Sequence, residues 1–155
     1  MTSYIFDILR TEEDREEYAP CSDCDVQEGD GAFFDWVEGL MDEKHAEDRK
    51  RALSQLANQL GDILDVDTES AVLTYKGGVD KYIQNAADRI SAELRKDTPD
   101  LWNTRKIATN PLDTDFLFLE EMSYNADSSL CFADMLLELD KGDKLFVGGV
   151  YRYHY

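Results

Sequence analysis

Basic residues are scarce in this chain: sixteen Lys and Arg stand against thirty-four Asp and Glu, a formal net charge of −18. Phosphate recognition needs clustered Lys or Arg, so nucleic acid and anionic membrane surfaces are poor partners. Cysteine is scarce too. Cys21, Cys24 and Cys131 are an odd number, unlike a disulfide framework, and a reducing cytoplasm is the expected setting. No run approaches the roughly 18–20 apolar residues of a membrane span. Met1 to Arg10 lacks the basic start and long apolar stretch of a signal peptide. Histidine is limited to His45 and His154, and there is no G-x-S-x-G elbow, so no serine has an assignable histidine and acid. Repeats, linkers and low-complexity tracts are absent as well.

What is present suits one folded unit. The chain has 155 residues, 43% hydrophobic and 11% aromatic, enough for a single core that needs neither disulfide nor metal. Tyr4 to Leu9 alternates with both faces apolar, which predicts a central strand. Thr11–Asp30 is an exposed acidic loop with one helical turn near Glu12–Tyr18. Phe33, Trp36, Val37, Leu40 and Met41 recur at helical spacing, with Asp30 as N-cap. A second helix is predicted over Ala46–Leu64, an acidic turn over Asp65–Glu69, and a strand over Ala71–Tyr75. Val79 to Leu94 reads as a third helix. Residues 100–112 read as irregular, with a short strand at Arg105–Ala108. Phe116–Leu119 is a strand, and Ser128 or Ser129 caps a fourth helix facing inward through Phe132, Met135, Leu136 and Leu139. The last strand runs from Leu145 to Tyr153, and Gly148-Gly149 within it signals a bulge or a close backbone contact. The expected architecture is one α+β domain over residues 1–155, a small, mostly antiparallel sheet of four or five strands against about four helices.

Motifs with chemical content are few. Cys21-Ser22-Asp23-Cys24 has the spacing of a zinc knuckle or redox pair, but a structural zinc site needs four soft ligands, and only Cys131, His45 and His154 remain. Neighbouring carboxylates would raise the thiol pKa, and two ordinary loop thiols are the plainer account. An EF-hand started at Asp23 puts Glu28 where Gly is required and Phe34 where Glu is required. Asp113-Thr114-Asp115 resembles a metal-holding D-x-D pair, although acids flanking a strand are common for solubility. Lys76-Gly77-Gly78 lacks the fuller phosphate-loop pattern and is better read as a turn. Asp134 and Glu138 share a helix face, as solvent-facing charges commonly do. No cofactor is implied and no catalytic constellation emerges.

The charge is uneven. Thr11–Asp30 holds nine acids and one base, Arg15, and Asp113–Asp140 holds eight acids and none. Spaced carboxylates on a rigid surface imitate the phosphate array of a duplex. The expected function is therefore non-enzymatic binding of a basic protein surface, such as that of a nucleic-acid-binding protein. Glu12, Glu13, Asp14, Glu16, Glu17, Asp113, Asp115, Glu120, Glu121 and Asp127 would form the acidic face. In size, acidity and α+β content the chain resembles small antirestriction proteins of phages and mobile elements, a likeness of bulk properties that no motif carries. The alternative is a metal-binding protein or metal-dependent enzyme using Cys21 and Cys24 or Asp113 and Asp115.

Overall fold

Strand β6 (Lys144–His154) is the spine of the molecule, and every other part of the sheet is placed by it. A computed structural model describes residues 2–19, 26, 34, 36–120 (Glu120 by its backbone alone) and 126–154. Along one side β6 pairs antiparallel with β1 (Thr2–Leu9), and along the other with β2 (Trp36–Gly39) and β4 (Val72–Tyr75). β3 (Leu64–Asp67) hangs on β4, and β5 (Leu117–Glu120) runs parallel to β1, the one parallel pairing among the described strands. The fold is α+β: a six-stranded, mostly antiparallel sheet with helices against it. β1 lies between β6 and β5, and all its residues after Thr2 are buried. That is what an apolar strand open on neither edge requires.

Five α-helices lie among the described residues: α1 (Glu12–Glu16), α2 (Ala46–Leu60), α3 (Val79–Leu94), α4 (Leu101–Thr109) and α5 (Leu130–Leu137). Leu53, Leu56 and Leu60 of α2 join Phe132, Met135 and Leu136 of α5 on one face of the sheet, against Tyr4, Phe6, Ile8, Leu145 and Val147. The opposite face carries Ile5, Val37, Leu119, Tyr151 and Tyr153, closed over by Val26, Phe34 and Ala126. Val26 is fully buried there, an apolar residue set within the most acidic stretch of sequence.

Four sequence expectations are corrected. Trp36–Gly39 is strand β2, not part of a helix: Val37 faces the second core while Glu38 sits opposite Arg152 and bonds to its guanidinium. The helical spacing was a coincidence of five apolar residues, and pairing with Tyr151–His154 decides the conformation. The second helix ends at Leu60, because Ile63 and Leu64 turn into β3. The acidic turn at 65–69 is largely that strand, with Asp65 and Asp67 exposed and Leu64 buried. Charges on an edge strand discourage pairing with other chains. The stretch 100–112 contains α4, opened by Asp100, whose carboxylate accepts from the backbone N–H of Trp102 (3.0 Å) and Asn103 (3.1 Å). Cap chemistry starts this helix; Ile107 is its one buried residue, so no apolar stripe announces it.

One smaller detail also differs. Ser129 stands at the start of α5 without capping it; its hydroxyl donates to Asn110 Oδ1 (2.6 Å) and accepts from Leu112 N (3.0 Å). The Gly77-Gly78 turn is a turn as expected, with both residues at positive φ (81° and 97°). The first turn of α3 is met from inside, since Val79 N–H donates to Tyr75 Oη at 3.1 Å.

Glu93, at the end of α3, holds the corner to α4. Its buried carboxylate accepts from Lys96 Nζ (2.7 Å), Asp100 N (3.0 Å) and Asn103 Nδ2 (3.0 Å). The Lys96 bond above all, then those from Asp100 and Asn103, lowers its pKa from the ordinary 4.5 to about 2. A depressed carboxylate stabilises the fold fully above its unfolded pKa, and the benefit fades as pH falls towards the folded value. Thermal melts at descending pH should therefore show the wild type losing stability between 4.5 and about 2. Glu93→Gln should start lower at neutral pH and lose less over that window. Parallel acid limbs for the two proteins would contradict this role.

Candidate functional site

The bulge in β6 is where the acidic helix is fastened. Phe6 faces Val150 and Ile8 faces Val147, so β6 carries one extra residue at Gly148-Gly149, as the glycine pair suggested. Tyr18, just after α1, lies across it. A Cβ at Gly148 would come within 2.8 Å of Leu9 Cδ1 and 3.0 Å of the Tyr18 ring, and one at Gly149 would collide with the Tyr18 hydroxyl. Only glycine leaves room for the ring. Its hydroxyl donates to Asp7 Oδ2 at 2.7 Å, and Asp7 is wholly buried in β1. Burial first, then the nearby Asp7 carboxylate, raises the Tyr18 hydroxyl far above its ordinary 10. It remains a donor at any ordinary pH.

α1 is thus capped at its start and latched to the sheet after its end. Thr11 Oγ1 caps it by accepting from Asp14 N (3.1 Å), and Tyr18 latches the residues that follow. Arg15, the one base of the helix, turns inward with its guanidinium 5.7 Å from the centre of the Phe146 ring. Glu12, Glu13, Asp14 and Glu16 in α1, and Glu17 at its C-cap, are all exposed. Among the described residues no ion pair engages any of these five. Elsewhere acids are often neutralised: Glu138 by Arg10 (2.8 Å), Glu69 by Lys50 (2.9 Å), Asp113 by Arg89 (3.7 Å), and Glu38 by Arg152. The Arg152 hydrogen bond, aided by its charge and by His45, holds the Glu38 carboxyl below its usual range against a burial penalty.

The other expected acids are scattered relative to α1. β1 and β5 are parallel, so Asp113 and Asp115, ahead of β5, lie at the opposite end of the sheet from α1. Ser3 Oγ donates to the Asp115 carbonyl at 2.7 Å. From Ser3 to Leu9, the end of β1 nearest α1, the strand advances about 20 Å. Asp115 Oδ2 also accepts from Gln59 Nε2 (3.1 Å). Glu120 sits opposite Ile8, at the α1 end, and Asp127 is exposed beside β5, bridged to Phe118. Glu121, Cys21 and Cys24 lie outside the described residues, as does the expected N-cap Asp30. Among the described residues, no group of three or more His, Cys, Asp or Glu side chains could hold a metal ion.

Beside the latch, the edge of β6 between β2 and β4 is met by single bonds: Val147 N–H donates to the Ala71 carbonyl (3.0 Å), and the Val150 carbonyl accepts from Leu40 N–H (2.8 Å). A cleft of about 480 Å³ opens there, lined by Arg15, Tyr18, Met41, Arg49 and Gly148 among others. Arg49 is engaged, donating to the Leu40 carbonyl at 2.6 Å.

Sequence reasoning found the acids of α1 but missed what fixes them. Asp7 is the one charged residue within the apolar run of β1, and a charge buried in a central strand needs a partner. That was the available signal; nothing in the pattern named Tyr18 as the partner.

No helix among the described residues is long and apolar enough to cross a membrane. Comparison with protein-family models, with curated proteins and with solved structures finds no match for this chain.

Tyr18→Phe removes the latch bond and leaves the buried Asp7 carboxylate without that donor. A hydrogen bond to a charged group contributes about 1.5–3 kcal/mol. Urea unfolding should show a loss of that size, with faster amide exchange confined to α1. Unchanged stability would show that the latch does not hold the helix.

Proposed function

We propose that this protein is a non-enzymatic binding protein that engages a basic protein surface through α1. The observation behind this reading is that five carboxylates on six successive positions stand exposed, without ion-pair partners among the described residues, on a capped helix that Tyr18 latches to the sheet. Solubility alone does not need such anchoring; a flexible acidic tail serves it as well.

The spacing of these charges supports a sharper version. Six helical positions span about 9 Å. Duplex DNA carries one phosphate per about 1.7 Å of axis, hence about five over the same length. α1 therefore matches a short piece of duplex in linear charge density, and a basic protein that normally holds nucleic acid is the partner that fits. Mimicry of this kind is how an antirestriction-type inhibitor would work. A rigid display matters because ordering flexible acids on binding would subtract from affinity.

The test uses a fluorescein-labelled oligolysine peptide as the basic surface, with binding followed by anisotropy. Affinity should fall steeply as salt rises from about 50 to 500 mM, because exposed charges are screened over that range. Binding that ignores salt, or no binding at the low end, would remove the proposal.

A further inference from the structure

The corner between α3 and α4 combines two features. It exposes large apolar side chains: Leu94 is 50%, Leu101 68% and Trp102 76% exposed. It is also close to neutral. Residues 89–110, together with Asp113, which pairs with Arg89 at 3.7 Å, hold five bases (Arg89, Arg95, Lys96, Arg105, Lys106) and four acids (Glu93, Asp97, Asp100, Asp113), whereas the remainder holds eleven bases and thirty acids.

The corner is also rigidly built. Glu93 gathers Lys96, the Asp100 backbone and Asn103, and Asp100 caps α4. These bonds set the first turn of α4, and Arg105 sits 5.7 Å from the centre of the exposed Trp102 ring. A tryptophan held outward on a fixed platform is the kind of residue that dominates interfaces.

We infer that this corner is the contact of a two-fold homodimer, with Leu94, Leu101 and Trp102 of one copy packed on the same residues of another. Charge argues for a second copy. Two chains of −18 repel almost wherever they meet. The nearly neutral corner is where that repulsion is least, so apolar contact can prevail there. An isologous contact sets the same surface of each copy against the other, so Leu94, Leu101 and Trp102 meet their own equivalents across the two-fold axis. The inference goes beyond the α1 reading and is tested without any basic ligand.

Sedimentation velocity on the purified chain decides it. At about 100 µM the wild type should sediment as a dimer, a weak one for so small a patch. Raising salt should strengthen it, since screening relieves the long-range repulsion and leaves the apolar contact. Trp102→Asp should raise the dimer dissociation constant at least about tenfold. Leu137→Asp, at another exposed leucine on α5, should leave it unchanged. Circular dichroism checks that the variants fold, and Leu101→Asp replaces Trp102→Asp if that one does not. On dilution of the wild type, tryptophan emission should shift to the red as Trp102 meets water. A wild type that stays monomeric, a dimer indifferent to both corner substitutions, or a dimer that salt dissociates would each overturn the inference. The last would mean acid-to-base contact between unlike surfaces.

Discussion

Phe132→Ala is expected to lower the unfolding free energy by about 3–5 kcal/mol, the cost of emptying a buried aromatic site. Phe132 is 1% exposed on α5 and stacks on Phe118 of β5, ring centres 4.5 Å apart and planes at 23°. Phe118 lies 6.2 Å from Phe6, which meets Phe116 edge-on at 5.3 Å and 82°. This row ties the parallel strand pair to the helical layer. Offset and edge-on pairs add about 0.5–1.5 kcal/mol beyond the area they bury. The backbone around Phe132 belongs to a helix that cannot collapse inward without losing Met135 and Leu136 from the core. Most of the cavity should therefore persist. Urea denaturation measures the loss as a lower midpoint at nearly constant slope. A change below about 1 kcal/mol would mean that α5 is not docked on the row.

The second large effect concerns binding. Neutralising α1 with Glu12→Gln, Glu13→Gln, Asp14→Asn, Glu16→Gln and Glu17→Gln together should weaken oligolysine binding on the order of 10- to 100-fold at low salt. The salt dependence should flatten as well, because fewer exposed charges remain to be screened. Stability should change little: these side chains are exposed, and the cap and latch, Thr11 and Tyr18, are untouched. Acids in the first turn favour the helix dipole by a few tenths of a kcal/mol, and their loss should appear as slight fraying of α1. A melt close to that of the wild type with binding strongly reduced would separate this effect from a folding defect.

The elements legible in the sequence were those whose own residues decide them. β1 is apolar on both faces, α3 carries Val79, Ala86 and the partly buried Tyr82 and Ile83 on its inner side, and the glycine pair marks the bulge in β6. β2 was not legible, because Trp36 and Val37 obey helical spacing and become a strand only by pairing with a segment more than a hundred residues away. α4 was missed for the opposite reason: its start is a cap at Asp100, and one buried residue gives no periodicity. For β3, Leu64-Asp65-Val66-Asp67 does alternate, but four residues beside further acids read as readily as a turn. At the candidate site the carboxylates of α1 could be read from composition. Their rigidity could not, since it depends on the Tyr18–Asp7 bond and on the space left by Gly148 and Gly149.

The central claim is that acidity acts here through one placed surface and not through bulk charge. The direct measurement compares oligolysine affinity of the α1 variant with that of a control of equal charge. The control carries Glu47→Gln, Asp80→Asn, Asp88→Asn, Asp97→Asn and Asp134→Asn, five exposed acids on other parts of the fold. Both variants lose the same five charges. The α1 variant should bind at least about tenfold more weakly than the control, with the control close to the wild type. Equal losses in the two variants would show that the net charge, and no particular surface, makes the contact.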